Sequence, residues 1–139
     1  MGLVYGEDGA VSRWVAAQSN EPAPPVVSAI GWERDGRLTA GIYFDTMNSN
    51  NVFAHIASTG LMPVELLAAA MAYTFRQLEV DRVTFMIDSD NQRCIDFVTT
   101  MGAFPEGRLR GARKGGDVLL YVLWKDNRFW KKLCETGRS

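Results

Sequence analysis

The sequence predicts an α/β domain of the α+β kind, one mixed sheet with helices packed on it. Three observations carry the prediction. Between Val26 and Ala57 apolar residues fall in short strand-like runs broken by Arg34-Asp35-Gly36 and by Met47 to Asn51. After Ser58-Thr59-Gly60 the period changes from 2 to 3.6, with Val64, Leu67, Met71, Phe75 and Leu78 recurring at steps of three and four. Beyond Arg82 a strand, a helix and a hairpin follow one another and close on DVLLYVLW, which is apolar on both faces as a central, doubly covered strand should be. At 139 residues the chain has the size of one domain, 1–139, with a real core.

The elements follow in order. Asp8 is a candidate cap for a short helix with Val11, Trp14 and Val15 on one face. The prolines of Ser19 to Pro25 make an extended connector, because each fixes φ and removes a backbone donor. Val26 to Glu33 and Arg37 to Asp45 flank an Asp-Gly step, a strong hairpin signal, and Asn51 to Ala57 completes an antiparallel meander. Pro63 suits the first position of a helix running to Leu78, buried nearly all round. Arg82 to Asp88 is a strand. Ser89 with Gln92 three residues on is a capping-box signature for the next helix, whose stripe is Cys94, Phe97, Val98 and Met101 and whose stop is Gly102. Gly107 to Asp117 forms the first arm and tip of a hairpin, and DNRFWKKL a last helical turn or two.

Composition narrows the function classes. Fifteen basic against 16 acidic residues give a formal net charge of -1, so no global field draws the chain to nucleic acid or anionic lipid, and neither is expected as a partner. No apolar run approaches the roughly 20 residues of a membrane span, and MGLVYGEDGA lacks the basic start of a secretory signal. Two cysteines and one histidine make neither a disulfide framework nor a zinc site. The expectation is a cytoplasmic, reduced protein without metal.

Ser89 to Lys125 carries an ordered set of features: Asn91, Cys94, Gly102 with Phe104, Glu106-Gly107, Leu109-Arg110 and Asp117 before an apolar strand. In that order they resemble the C-terminal half of the GNAT superfamily, the acyl-CoA N-acyltransferases. The resemblance implies the order β-α-β-β-β-α-β-α-β-β, with one N-terminal helix where the family often has two. It also implies that acetyl-CoA, the acyl donor, lies where the parallel strands Asn51 to Ala57 and Arg82 to Asp88 splay apart. Pantetheine would pair with the backbone of Ile56, Ala57 and Ser58 and hydrogen-bond Asn91. The pyrophosphate would rest on the helix start at Gly60, Leu61, Met62 and Val64, where free N–H groups and the macrodipole favour anions. An unprotonated primary amine (of a small molecule, a protein N-terminus or a lysine) would attack the thioester directly in a ternary complex. A homodimer is an assembly left open.

Against the family pattern, Pro63 stands where the phosphate loop has its second glycine, the loop is short and lacks its Arg or Gln, and Val98 stands where a tyrosine often acts as acid. For the base, His55 is the sole histidine, and a neutral imidazole takes a proton near neutral pH. Tyr121, or Tyr43, is the candidate acid for the leaving thiolate. The alternative for each is packing in the sheet. Cys94 reads as an inert thiol, Asp88 and Asp90 as capping groups, and Arg108, Arg110, Arg113 and Lys114 as a solvated tip. A second reading stays open: a catalytically inactive GNAT-fold binding or structural protein. A looser similarity of Asn91 to Leu123 to short phage-encoded GNAT-like proteins goes with it.

Overall fold

The computed structural model describes residues 2–5, 9–22 and 28–135. Among these residues seven strands make one sheet: β1 (Gly2–Tyr5), β2 (Ser28–Arg34), β3 (Arg37–Asp45), β4 (Asn51–Ser58), β5 (Arg82–Asp88), β6 (Phe104–Arg113) and β7 (Gly116–Trp124). Their spatial order is β1-β2-β3-β4-β5-β7-β6. Helix α1 (Ala10–Gln18) follows β1, α2 (Val64–Ala72) leads from β4 toward β5, α3 (Gln92–Thr100) joins β5 to β6, and α4 (Arg128–Glu135) follows β7. The expected order is observed, with α4 as the tail. Every strand pair is antiparallel except β4 and β5, which run parallel as expected. Among the described residues no helix is long and apolar enough to cross a membrane.

Local chemistry explains most boundaries. Asp35 and Gly36 both take positive φ, 54° and 75°, the demand of a two-residue hairpin turn that matches strand twist. Asn48 Oδ1 accepts the amides of Asn50 (3.1 Å) and Asn51 (2.9 Å) and so shapes the β3–β4 turn. Gly102, at φ 107°, ends α3 while the Ala103 amide bonds back to the Val98 carbonyl.

Two expectations are corrected, and one falls outside the described residues. Asp8 lies outside the described residues, and the residue before α1 is Gly9, at φ 82°. The cap of α3 is Asn91, whose Oδ1 accepts the Cys94 amide at 3.1 Å; Ser89 instead pairs its backbone and hydroxyl with Asp117. Pro63 is the residue before α2, extended at ψ 140°, and the helix does not run to Leu78 as α-helix. From Tyr73 to Gln77 it widens into a π-turn. Thr74 Oγ1 donates to the Ala70 carbonyl at 2.8 Å and competes with the backbone ladder there.

The main core lies between one face of the sheet and helices α2, α3 and α4, with Leu66, Phe75, Val98 and Leu123 almost wholly buried. On the opposite face α1 seats Val11 and Val15 over β2 and β3, with Ala29 and Tyr43. That seat is made by two glycines directly across from each other in the ladder, Gly31 and Gly41. A Cβ on Gly41 would stand 2.8 Å from Val15 Cγ2 and 3.0 Å from Val11 Cγ1, so only hydrogen fits between helix and sheet.

Candidate functional site

The β4–β5 ladder stops early. It pairs Asn51 with Arg82 through Ala54 with Phe85 and goes no further, although β4 continues to Ser58 and β5 to Asp88. Beyond that point each strand follows its outer neighbour, Ser58 opposite Ala40 of β3 and Asp88 opposite Val118 of β7. The sheet therefore opens as a wedge in its middle, and backbone groups of residues 55–58 and 86–88 face a gap instead of each other.

A cleft of about 450 Å³ fills the mouth of this wedge. Of the expected cofactor residues, Ile56, Ala57, Ser58, Gly60, Leu61, Met62 and Asn91 all line it. Val64 does not; it opens α2 beside the cleft, 40% exposed. Leu61 is 96% exposed at the rim. The loop is braced within itself and against α3. The Thr59 amide bonds the Thr39 carbonyl (2.9 Å), and the Gly60 carbonyl accepts both the Ser58 hydroxyl and the Arg93 guanidinium. The Leu66 and Leu67 amides turn back to the Pro63 carbonyl, leaving those of Val64 and Glu65 as the open donors of the helix start.

A second chamber, about 320 Å³, lies on the α1 side of the sheet and shares Ser19, Ile56, Asn91 and Cys94 with the cleft. His55 and Tyr43 form part of its wall. Their rings stack with centroids 4.3 Å apart and 11° between planes. His55 Nε2 donates to Asp45 Oδ1 at 3.1 Å, a contact that in the neutral ring leaves Nδ1 as the acceptor. Burial first, then the charges of Asp45 and Glu21, push the Tyr43 phenol above its usual range and keep it protonated. Cys94, at the junction of cleft and chamber, is pushed up to about 11 by burial and by the Asp88 charge. It is a thiol at neutral pH, not a nucleophilic thiolate.

The structure brings His55 and Asn91 to the wall of one chamber but not Tyr121. Ala54, Phe85 and Tyr121 are in register across β4, β5 and β7 and belong to the main core; His55, adjacent to Ala54, points to the other face. Tyr121 lines neither cleft nor chamber. Val98, where the family often has its tyrosine, is fully buried. Asp88 and Asp90 are not caps: both meet Arg113, whose pairing with Asp88 holds the hairpin over the chamber beside Ala112. Arg108 likewise binds Asp117 at 2.7 Å instead of water alone. Sequence reasoning missed Asp45 and Arg93. The second carried a signal, since Arg93, Phe97 and Thr100 recur at helical spacing and all line the cleft.

A mixed sheet split between two central parallel strands, with a helix start and a capping Asn at the split, defines the GNAT acyl-CoA N-acyltransferase fold. Solved structures agree. Spermidine N-acetyltransferase SpeG from Vibrio cholerae, in one variant, superposes with TM-score 0.69 at 14% identity over 95% of this chain and 99% of that one. The structure of yncA from Salmonella typhimurium with its cofactor acetyl-CoA gives 0.67 at 13% identity, covering 91% and 94%. A protein described as a probable acetyltransferase gives 0.57 at 20% identity over 72% of this chain, which spans only 62% of that longer one. No protein-family profile matches the chain, and no curated protein matches it at significant similarity.

Proposed function

We propose that this chain is an acyl-CoA-dependent N-acetyltransferase that moves an acetyl group from acetyl-CoA to a primary amine within a ternary complex. The observation that carries the reading is the wall the two spaces share, built from Ser19, Ile56, Asn91 and Cys94. The donor's arm would complete the open edge of β4 in the cleft, and its thioester would arrive at the shared wall of Ile56, Asn91 and Cys94, facing the His55 chamber. The Asn91 cap uses only the side-chain oxygen, so its NH₂ group is the donor offered to the pantetheine.

His55 Nδ1, with the ring oriented by Asp45, takes the proton of the incoming ammonium. The freed nitrogen attacks the thioester carbon, the new C–N bond forms, and the C–S bond breaks. The Tyr43 phenol, protonated beside His55, replaces Tyr121 as the group that gives a proton to the thiolate, and the second proton shed by the nitrogen as the amide forms restores the phenol. A cationic acceptor suits the chamber, whose wall includes Glu21, with Asp45 just behind His55 and Asp88 already paired with Arg113. Lysine-like, polyamine-like and N-terminal amines all meet that requirement.

The test is calorimetric titration with acetyl-CoA and CoA, followed by thiol-release assays on a panel of primary amines. His55→Gln should retain donor binding and lower turnover on the order of 100-fold. Full activity in that variant returns His55 to a packing role. The second reading, a GNAT-fold protein without activity, is favoured by Pro63 and by the buried Val98; a folded chain that binds neither acetyl-CoA nor CoA would establish it.

A further inference from the structure

The loop between β4 and α2 is a poor anion cradle by its own residues. Pro63 has no N–H, the Thr59 amide is committed to β3, and the segment carries no cation. The carboxylate of Glu65 stands in the first turn of α2, opposing any anion there.

Helix α3 supplies what the loop lacks. Arg93 Nη2 donates to the Gly60 carbonyl across the cleft, a contact between residues 33 apart in sequence. Arg93 is the one cationic side chain among the described residues that line the cleft, and Asp96 the one anionic. Asp96 is engaged along its own helix by Gln92 Nε2 at 2.7 Å. Arg82, Arg108 and Arg113 each pair with a carboxylate, whereas no ion pair forms at Arg93 among the described residues. A guanidinium held by one neutral carbonyl keeps most of its five donors, and it binds phosphate oxygens in bidentate fashion far more strongly than it binds a carbonyl.

We propose that Arg93 is the diphosphate-binding residue of this chain, holding the donor's phosphates from α3 in place of the usual loop. The inference rests on the acetyl-CoA reading above. On binding, the diphosphate takes the guanidinium from the Gly60 carbonyl, and the carbonyl keeps the Ser58 hydroxyl.

The experiment is titration of the full chain with CoA at low and at high salt, for wild type, Arg93→Ala, Arg93→Lys and Arg93→Gln. Arg93→Ala and Arg93→Gln should weaken binding by about 10- to 100-fold at low salt. They should also flatten the salt dependence, and Arg93→Lys should restore part of both. A residue that only braced Gly60 would lower affinity equally at the two ionic strengths, and that result overturns the proposal. So does unchanged affinity in Arg93→Ala, which leaves the donor reading intact. Absence of CoA binding by folded wild type overturns the donor reading and this inference with it.

Discussion

Replacing Gly41 by alanine tests how α1 is seated, and with it the wall of the His55 chamber. The added Cβ would stand 2.8 Å from Val15 Cγ2 and 3.0 Å from Val11 Cγ1, both on stiff β-branched side chains that are almost wholly buried. Neither methyl can swing clear, so the helix must lift by a few tenths of an ångström or a valine must leave its rotamer. Overpacking of this kind costs about 1–3 kcal/mol, and the loss of chain entropy on going from glycine to alanine offsets about 0.4–1 kcal/mol of it. The net loss is on the order of 1–2 kcal/mol, which a urea slope of about 1–3 kcal/mol per molar turns into a midpoint lowered by about 0.5–1 M. Urea unfolding followed by tryptophan fluorescence measures it, with Gly60→Ala as the control, since no heavy atom lies within 4 Å of a Cβ there. Adding Val15→Ala should recover part of the loss, giving a coupling of about 0.5 kcal/mol or more. Strict additivity, or a Gly41→Ala protein as stable as wild type, refutes the packing described for α1.

Pro63→Gly should tighten CoA binding by about tenfold or more, because it restores one N–H to a charged acceptor; unchanged affinity by titration would show that residue 63 does not face the phosphates. Thiol labelling at neutral pH should modify exposed Cys134 quickly and Cys94 slowly, because the Cys94 thiol is pushed up to about 11. Bound CoA should slow Cys94 further, and equal rates for the two cysteines would contradict its placement at the cleft wall. Asp117, held below its usual value of 3.8 by the Gly111 amide and by Arg108, stabilises the hairpin above that value and loses the contribution as pH falls through its lowered folded pKa. Asp117→Asn should therefore reduce stability at neutral pH and converge with wild type in acid; a constant gap down to the lowest measurable pH would assign the effect to shape instead of charge.

Much of this architecture is legible in local chemistry. The Asp35-Gly36 turn, the meander, the Gly102 stop and the apolar stripe of α3 all follow from spacing and turn residues, and the parallel pair follows from the resemblance. The rest depends on contacts distant in sequence. Ser89 is no less fit to cap than Asn91, but Asp117 draws its backbone and hydroxyl away. The face of Tyr121 is unreadable because β7 is apolar on both sides, so alternation gives no sign of which side meets the helices. His55 is easily singled out as a lone histidine, yet its partner Asp45 ends a different strand. The facing pair Gly31 and Gly41 looks, in sequence, like two ordinary strand-weakening residues.

The position of β7 has a consequence for biosynthesis. It lies between β5 and β6 although it is made after both. While the chain leaves the ribosome, the meander and α2 can assemble, but the outer edge of β5 has no partner until residues 116–124 arrive to pair with residues 82–88. A bare strand edge is a template for another nascent chain, and here it is an interior one, apolar at Val83, Phe85 and Ile87. A stop codon just before β7 would therefore expose the middle of the sheet, where the loss of β1 would trim only its rim.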